Sequence, residues 1–435
     1  MSTTPGFTKL RIRGWRQFQD IELQLHPRLT IITGANGAGK STLLSFFSRH
    51  FGYHRAFLAT PQRSGAKRPF SVGLFVLRKL GLAPTPPLPT SPHGIEIGEI
   101  GYSDGTVCKI NVPTQAALHY DVAFDRQLTV DGIHIDSHRP PNVYRHVANY
   151  PSAPPVRQSI GLGVDSEYIN FYQGGGLNSG SLYHIKMTLM QLSIFGYGNE
   201  TMDPMPELIE LFKGFEAVLK VMLPKSLGFE KLIIRPPEVL LSTKSGDFLV
   251  DAASGGIIKL FEVAWQLYFY SQGRERFVVT LDEPENHLHP SMQKSFLPSI
   301  LEAFPGLQVI AVTHSPFIIS AMQDSAVYVL RYLDADIAAG ADDDQSIRGL
   351  LGTRVVAERL DTVNKAASAS EILRDVLGIA STIPDWAEAR VQQIVGQFKG
   401  TRLDEAALKN IYAQLEREGL ASSYPSALTS LTRSN

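Results

Sequence analysis

Apolar and polar positions alternate at the start of the chain and then give way to unbroken apolar runs. Residues 7–13 and 21–25 alternate as half-buried strands do, and residues 29–33 read as a fully buried strand. Residues 41–50 follow as a helix with Leu43, Leu44, Phe46 and Phe47 on one face. Between Ile95 and Ile135, short apolar segments at 95–97, 107–112, 121–124, 128–130 and 133–135 are separated by Asp104-Gly105 and Asp131-Gly132 turns, a texture that predicts an antiparallel sheet. Residues 182–195 and 206–222 read as helices, the second with Pro206 at its start and Pro224 past its end. Strands return at 232–234, 239–242 and 248–250. An apolar helix at 257–270, a buried strand at 277–281, a helix at 291–303 and buried strands at 309–313 and 327–330 complete the pattern. Residues 354–418 read as helical. Pro84, Pro86, Pro87, Pro89 and Pro92 mark an extended loop, and the segment from Pro140 to Pro155 is another.

Composition narrows the class. The 435 residues carry 41 basic and 42 acidic side chains, and 43% are hydrophobic, which suits a chain with a real core and excludes a uniformly basic nucleic-acid binder. A single cysteine, Cys108, excludes an internal disulfide framework and a four-cysteine zinc site. The first residues lack the apolar core of a signal peptide and no apolar run is long enough to span a bilayer, so a cytoplasmic setting without a membrane is expected.

Gly34-Ala-Asn36-Gly37-Ala38-Gly39-Lys40-Ser41, followed by Thr42, has the spacing of a phosphate-binding loop between an apolar strand and a helix. Glycines let successive backbone N–H groups turn inward around a phosphate, and the helix start adds its dipole. Lys40 supplies a point charge for the β and γ oxygens, and the Ser41 hydroxyl suits Mg²⁺. A second apolar strand, 277–281, ends in Asp282-Glu283. At the end of a parallel strand beside that loop, Asp282 suits the metal shell and Glu283 suits a general base acting on water.

Ala253-Ser254-Gly255-Gly256 precedes the apolar helix before Asp282, and the strand at 309–313 leads into His314. Each piece alone is common. Their order (phosphate loop, Ser-Gly-Gly, Asp-Glu, strand-end His) resembles the ATP-binding-cassette (ABC) ATPases. The resemblance implies an α/β fold: an ABC-ATPase head with a P-loop core and an antiparallel β subdomain. It also implies a head-to-tail dimer or higher oligomer in which ATP and Mg²⁺ on one subunit are covered by Ser254, Gly255 and Gly256 of the other, with His314 at the γ-phosphate. Ala253 and Ile257 depart from the Leu and Gln or Glu that usually flank this signature. Glu283-Pro-Glu-Asn-His-Leu-His-Pro290 resembles the branch of OLD nucleases and RecF-like proteins more than transporter cassettes. Leu10-Arg-Ile-Arg-Gly-Trp-Arg16-Gln-Phe18 resembles that branch's opening and makes Arg16 a further ATP-site candidate, beside its reading as a solvated turn arginine. The family's Q-loop glutamine has no clear counterpart: Gln158 and Gln173 are undistinguished, and Ser137-His138-Arg139 is another occupant of that region.

The expected organisation is an N-terminal half of the cassette at 1–165, a helical insertion at 166–230, the second half at 231–335 and a helical C-terminal region at 336–435. That outline resembles stand-alone ATPase subunits of bacterial anti-phage systems of the Septu and PARIS types. Asp334-Ala-Asp336 is the only candidate for nuclease chemistry and reads as part of an acidic loop. An effector, a nuclease or toxin, is therefore expected on a separately encoded partner. No Asp or Glu occurs from Leu23 to Ile95, whereas Arg28, Arg49, Arg55, Arg63, Lys67, Arg68, Arg78 and Lys79 do. That stretch keeps open nucleic acid as a partner, and with it a RecF- or SMC-like ATPase acting directly on DNA. A transporter motor is disfavoured by the residues after Glu283.

Overall fold

In strand β1 (Phe7–Trp15), Leu10 and Ile12 are fully buried while Lys9, Arg11 and Arg13 line the other face, the period of two that the alternation predicts. The computed structural model describes residues 4–58, 90–91, 94–113, 119–148, 153–156, 160–176, 180–333, 355–361, 369–373, 384–398, 405–424 and 427–428. Contacts divide the chain into two units, Met1–Ala367 and Ser368–Asn435.

The first unit is built on one large sheet. Its strands after β1 are β2 (Phe18–Gln24), β3 (Leu29–Gly34), β5 (Thr90–Ser91), β6 (Gly94–Tyr102), β7 (Val107–Val112), β9 (Ala123–Phe124), β10 (Gly132–Ile135), β14 (Phe277–Asp282), β15 (Leu307–Val312), β16 (Ala326–Tyr332) and β17 (Val355–Arg359). The spatial order is β10-β14-β15-β3-β16-β17-β2-β1-β6-β7-β9, with β5 on β6. From β10 to β16 every pairing is parallel; from β2 to β9 every pairing is antiparallel. The parallel strands β3, β14 and β15 are buried along their whole length, which is why they read as unbroken apolar runs. The antiparallel strands pair charges across their polar face, as at Lys9–Glu99 and Lys109–Glu96, both 2.9 Å. A two-stranded ribbon, β4 (Phe57–Leu58) with β8 (His119–Tyr120), and a three-stranded sheet, β11 (Phe229–Arg235), β12 (Glu238–Thr243) and β13 (Gly246–Leu249), stand apart.

Helices cover the parallel half. Helix α1 (Lys40–Ser48) follows the phosphate loop and sends Leu43, Leu44, Phe46 and Phe47 into the core. Helices α2 (Leu162–Tyr172), α3 (Ser181–Tyr197) and α4 (Pro206–Met222) follow β10 in the chain. Helix α5 (Gly255–Ser271) is buried almost all round, and α6 (Pro290–Ala303) lies between β14 and β15 in the chain. The fully buried Phe215 of α4 meets the rings of Phe261 and Trp265 of α5 edge-on, at 5.4 and 5.1 Å. The buried Lys186 of α3 is held 2.8 Å from Asp251 and 3.3 Å from Glu238, which ties α3 to the approach to α5. In the second unit, α7 (Asp385–Gly396) and α8 (Glu405–Arg417) bury Val391, Ile394, Ile411 and Leu415 in a small core of their own.

Four expectations are corrected. Residues 355–359 are strand β17, paired antiparallel to β16 and parallel to β2, where the pattern predicted helix. Two β-branched residues, Val355 and Val356, fit a slot between existing strands better than a helix. Residues 133–135 leave the antiparallel sheet and pair parallel to β14, where Ile133, His134 and Ile135 are all buried. Residues 128–130 form no strand, although Val130 is buried. Helix α2 was not expected, as its aromatic and β-branched residues are weak helix formers.

The ring cluster around Phe215 seats α5. Phe215→Ala is expected to cost about 3–5 kcal/mol of stability, read as a lower midpoint in chemical denaturation.

Candidate functional site

The phosphate loop turns sharply between β3 and α1. Gly34 has φ 138° and an added Cβ would lie 2.4 Å from the Leu330 carbonyl oxygen. Gly39 has φ 94° and a Cβ there would meet the Gln17 amide and the Phe18 ring, at 2.3 and 2.4 Å. Both positions therefore demand glycine on two counts. Ala38 is buried, while Asn36 and Gly37 form the exposed rim and Thr42 is half-buried. Gly39 caps α1 without a side-chain bond, so the first amides of the helix keep their donors for a ligand. Lys40 is buried and donates to the carbonyls of Gly34 and Ala35, at 3.1 and 3.0 Å. Burial pushes its pKa down, the state of a cation placed to gain from an anion.

The Ser41 hydroxyl donates to Asp282 Oδ1 at 3.1 Å, joining the start of α1 to the end of β14. The two strands are not neighbours; β15 lies between them. Burial, helped by the nearby Asp136, raises the Asp282 carboxyl to a pKa of about 6, against the Ser41 bond. Asp136 directly follows β10, whose register sets Ile135 opposite Leu281, so it stands level with Asp282. Its buried Oδ2 is 3.5 Å from Arg55 without a hydrogen bond to it. A hydroxyl and a buried carboxylate lacking a full cation partner are hard oxygen donors that fit Mg²⁺, which takes few protein ligands and completes its shell with phosphate and water. Among the described residues no group of three or more His, Cys, Asp or Glu is arranged to hold a metal ion by itself.

Glu283 follows Asp282 in a left-handed conformation, φ 44°, and is half-buried. Its Oε1 is 3.8 Å from His314 Nε2, and its Oε2 accepts from Asn286 Nδ2 at 3.2 Å. Burial and the nearby Lys40 lower the His314 pKa, favouring a neutral imidazole. The residue that the motif reasoning missed is Glu285. Its carboxylate accepts from the backbone amides of His314 and Ser315, at 2.7 and 3.1 Å, and from the Thr313 hydroxyl at 2.8 Å. It thereby fixes the turn that presents His314. The Glu-Pro-Glu spacing was visible, but nothing in it revealed which backbone the second glutamate would bind.

Ser254 and Gly255 are exposed at the start of α5, and the Ser254 side chain makes no capping bond. Gly256 is buried; a Cβ there would sit 3.0 Å from the His287 carbonyl oxygen, so the helix start packs closely on the loop after Glu283. One turn on, the buried Lys259 donates to the Asn286 carbonyl at 2.8 Å, and desolvation lowers its pKa to about 7. Arg139 reaches α5 from the segment after β10, bonding Glu262 at 3.3 Å and Gln266 at 2.8 Å. Residues 137–139 thus follow the strand beside Asp282, whereas Gln173 caps the end of α2 and Gln158 lies outside the described residues.

Arg16, at φ 54°, donates to the Leu58 carbonyl at 2.7 Å and stacks 5.3 Å from the Trp15 and Phe57 rings; its neighbour Gln17 is the one that reaches the loop, at the Gly37 carbonyl, 3.4 Å away. The described cations of the acid-free stretch are engaged within the chain. Arg28 bonds the carbonyls of Leu301, Phe304, Pro305 and Leu307. Arg49 is buried against Asp121 and the Arg55 carbonyl, and Arg55 stacks 3.8 Å over Tyr172. Phe57 belongs to the core and Phe51 packs against it. Arg63, Lys67, Arg68, Arg78, Lys79 and Asp334-Ala-Asp336 lie outside the described residues.

A phosphate loop whose serine bonds a strand-end aspartate, with a histidine strand threaded between their strands, is the plan of an ABC-type ATPase head. Comparison with known proteins finds partial matches. Residues 9–54 match the family described as "AAA domain", and residues 228–320 the family "AAA domain, putative AbiEii toxin, Type IV TA system". The chain is similar to the Septu protein PtuA of Bacillus thuringiensis, 26% identical over 37% of this chain and 40% of that protein. It is also similar to "Retron Vc95 probable ATPase" of Vibrio cholerae serotype O1 biovar El Tor, 32% identical over 13% of this chain and 11% of that protein. The match thus spans less than half the length of either relative. Among solved structures, the SMC head domain from Thermotoga maritima aligns over 82% of this chain and 99% of its own, with a TM-score of 0.41 and 11% identity. Among the described residues no helix is long and apolar enough to cross a membrane.

The depressed pKa of Lys259 has a measurable consequence. Between its folded value near 7 and the ordinary 10.5, the unfolded chain binds the extra proton, so stability rises with pH in that window. Relative to Lys259→Met, the wild type is expected to gain on the order of 1 kcal/mol per pH unit from pH 7 to 9, measured by urea denaturation at each pH.

Proposed function

We propose that this chain binds ATP with Mg²⁺ and hydrolyses it at composite sites between two copies, and that the nucleotide state governs a separately encoded effector, a nuclease or toxin, in anti-phage defence. The observation that carries the reading is the convergence of the Ser41–Asp282 bond and the Glu283–His314 pair at one end of adjacent parallel strands. In this reading the loop amides and Lys40 hold the β and γ phosphates, and Ser41 and Asp282 hold the metal, which neutralises phosphate charge when bound. Glu283 takes a proton from the attacking water, and neutral His314 orients that water and the γ-phosphate. The exposed Ser254 and Gly255 at the start of α5 are free to close the site of a second copy. The similarity to Septu PtuA and to the retron ATPase supports placing the activity in a defence complex. A role directly on DNA is the weaker reading, since Arg28, Arg49 and Arg55 are engaged within the chain.

Lys40→Ala is expected to weaken ATP binding beyond detection in equilibrium titration. Glu283→Gln is expected to keep nucleotide affinity, lower turnover by about 10²–10⁴-fold and accumulate the ATP-bound dimer in size-exclusion chromatography. Wild-type turnover by Glu283→Gln would remove the assignment of the base. Salt-sensitive DNA binding by the isolated chain, with stimulation of ATPase, would favour the second reading.

A further inference from the structure

Lys259 is an unusual residue to find in the interior of α5. Its neighbours Ile258, Leu260 and Phe261 are buried apolar side chains, and Lys259 itself is 5% exposed. Burying an ammonium is costly unless it gains strong partners. None of the ion pairs among the described residues involves Lys259; its hydrogen bond goes to the Asn286 carbonyl. For packing alone, methionine would fill the same space without desolvating a charge.

Asn286 is where that bond gains a purpose. Its backbone N–H donates to the Glu283 carbonyl at 3.2 Å, and its side-chain amide donates to Glu283 Oε2 at 3.2 Å. The other oxygen, Oε1, faces His314. The carboxylate is therefore oriented from both sides, by Asn286 on one oxygen and by the histidine on the other. The loop that carries this arrangement is strained at both ends, with φ 44° at Glu283 and 68° at His287. Such a loop holds its shape only if it is pinned, and α5 pins it at Asn286 through Lys259 and packs on it at His287 through Gly256.

We infer that Lys259 is a positioning residue for hydrolysis: from the helix that begins with Ser254-Gly255-Gly256 it fixes the Asn286 carbonyl, and through Asn286 it fixes the carboxylate of Glu283. The inference rests on the proposed ATPase and on Glu283 as its base. It makes the base dependent on the placement of α5, so that a shift of the signature helix in one copy alters the water-activating pair of that same copy.

The test uses the full chain with Lys259→Met, Asn286→Ala and the double variant, and Glu283→Gln as control. At pH 7 each single variant is expected to lower kcat by about ten-fold or more, while affinity for a non-hydrolysable ATP analogue stays near wild type and Tm does not fall. The double variant is expected to be no slower than the slower single, because the two residues act in series. A merely structural lysine would lower Tm and leave kcat in the folded fraction unchanged. If Lys259→Met folds poorly, Lys259→Leu, which also lacks the donor, takes its place, and Asn286→Ala tests the link from Asn286 to Glu283. Wild-type kcat in either single, with Glu283→Gln inactive, overturns the role of Lys259 alone; so do losses that multiply in the double. Wild-type kcat in Glu283→Gln overturns the base and the inference with it.

Discussion

The registry of three parallel strands is the constraint on which the site depends. Asp282 pairs with Val312, and Val312 with Ile32, so β14, β15 and β3 stop level with one another. Just beyond that line the chain places the strand-end carboxylates, the histidine turn and the phosphate loop. The Thr33 hydroxyl bonds the Thr313 carbonyl at 2.8 Å and locks two of the three ends together. A slip of one residue along β14 would turn Asp282 to the opposite face of the sheet and move Glu283 by about 3.3 Å. The full burial of all three strands makes such a slip expensive, so the geometry of a polar site is set by an apolar interior.

Around that line lies a layer of charges held out of water. Asp136 raises the pKa of Asp282, Lys40 lowers that of His314, and Glu285 spends its carboxylate on the backbone of 313–315. These groups do not balance into simple pairs. The surplus of carboxylate near Asp282 and the desolvated Lys40 are the electrostatic complement of a polyanion accompanied by a cation.

What could be read in advance follows a physical division. The phosphate loop, Asp282-Glu283 and the 277–281 strand were legible because glycine spacing and unbroken apolar runs are local signals. Glu285, Asp136 and Lys259 were not, because their partners lie in other segments: Glu285 binds amides beyond the next strand, and Asp136 gains its neighbour only through the β10–β14 register. The same limit applies to Arg49, which reads as part of a basic surface in the sequence but is buried against Asp121 in the fold. Strand β17 failed as a reading because five residues carry too little pattern to compete with the helical texture that follows them.

Strand β17 also bears on how the chain acquires its structure. Among the described residues it is the one strand that joins the parallel half, through β16, to the antiparallel half, through β2. Yet residues 355–359 are made more than 300 residues after β2. Until they emerge from the ribosome, β2 and β16 are two unpaired edges, each able to pair with another chain. The joining of the halves is thus a long-range event of high loop-closure entropy, and a slow one. A nascent chain of this protein has a period of exposure to aggregation that ends only when a five-residue segment arrives to fill the gap.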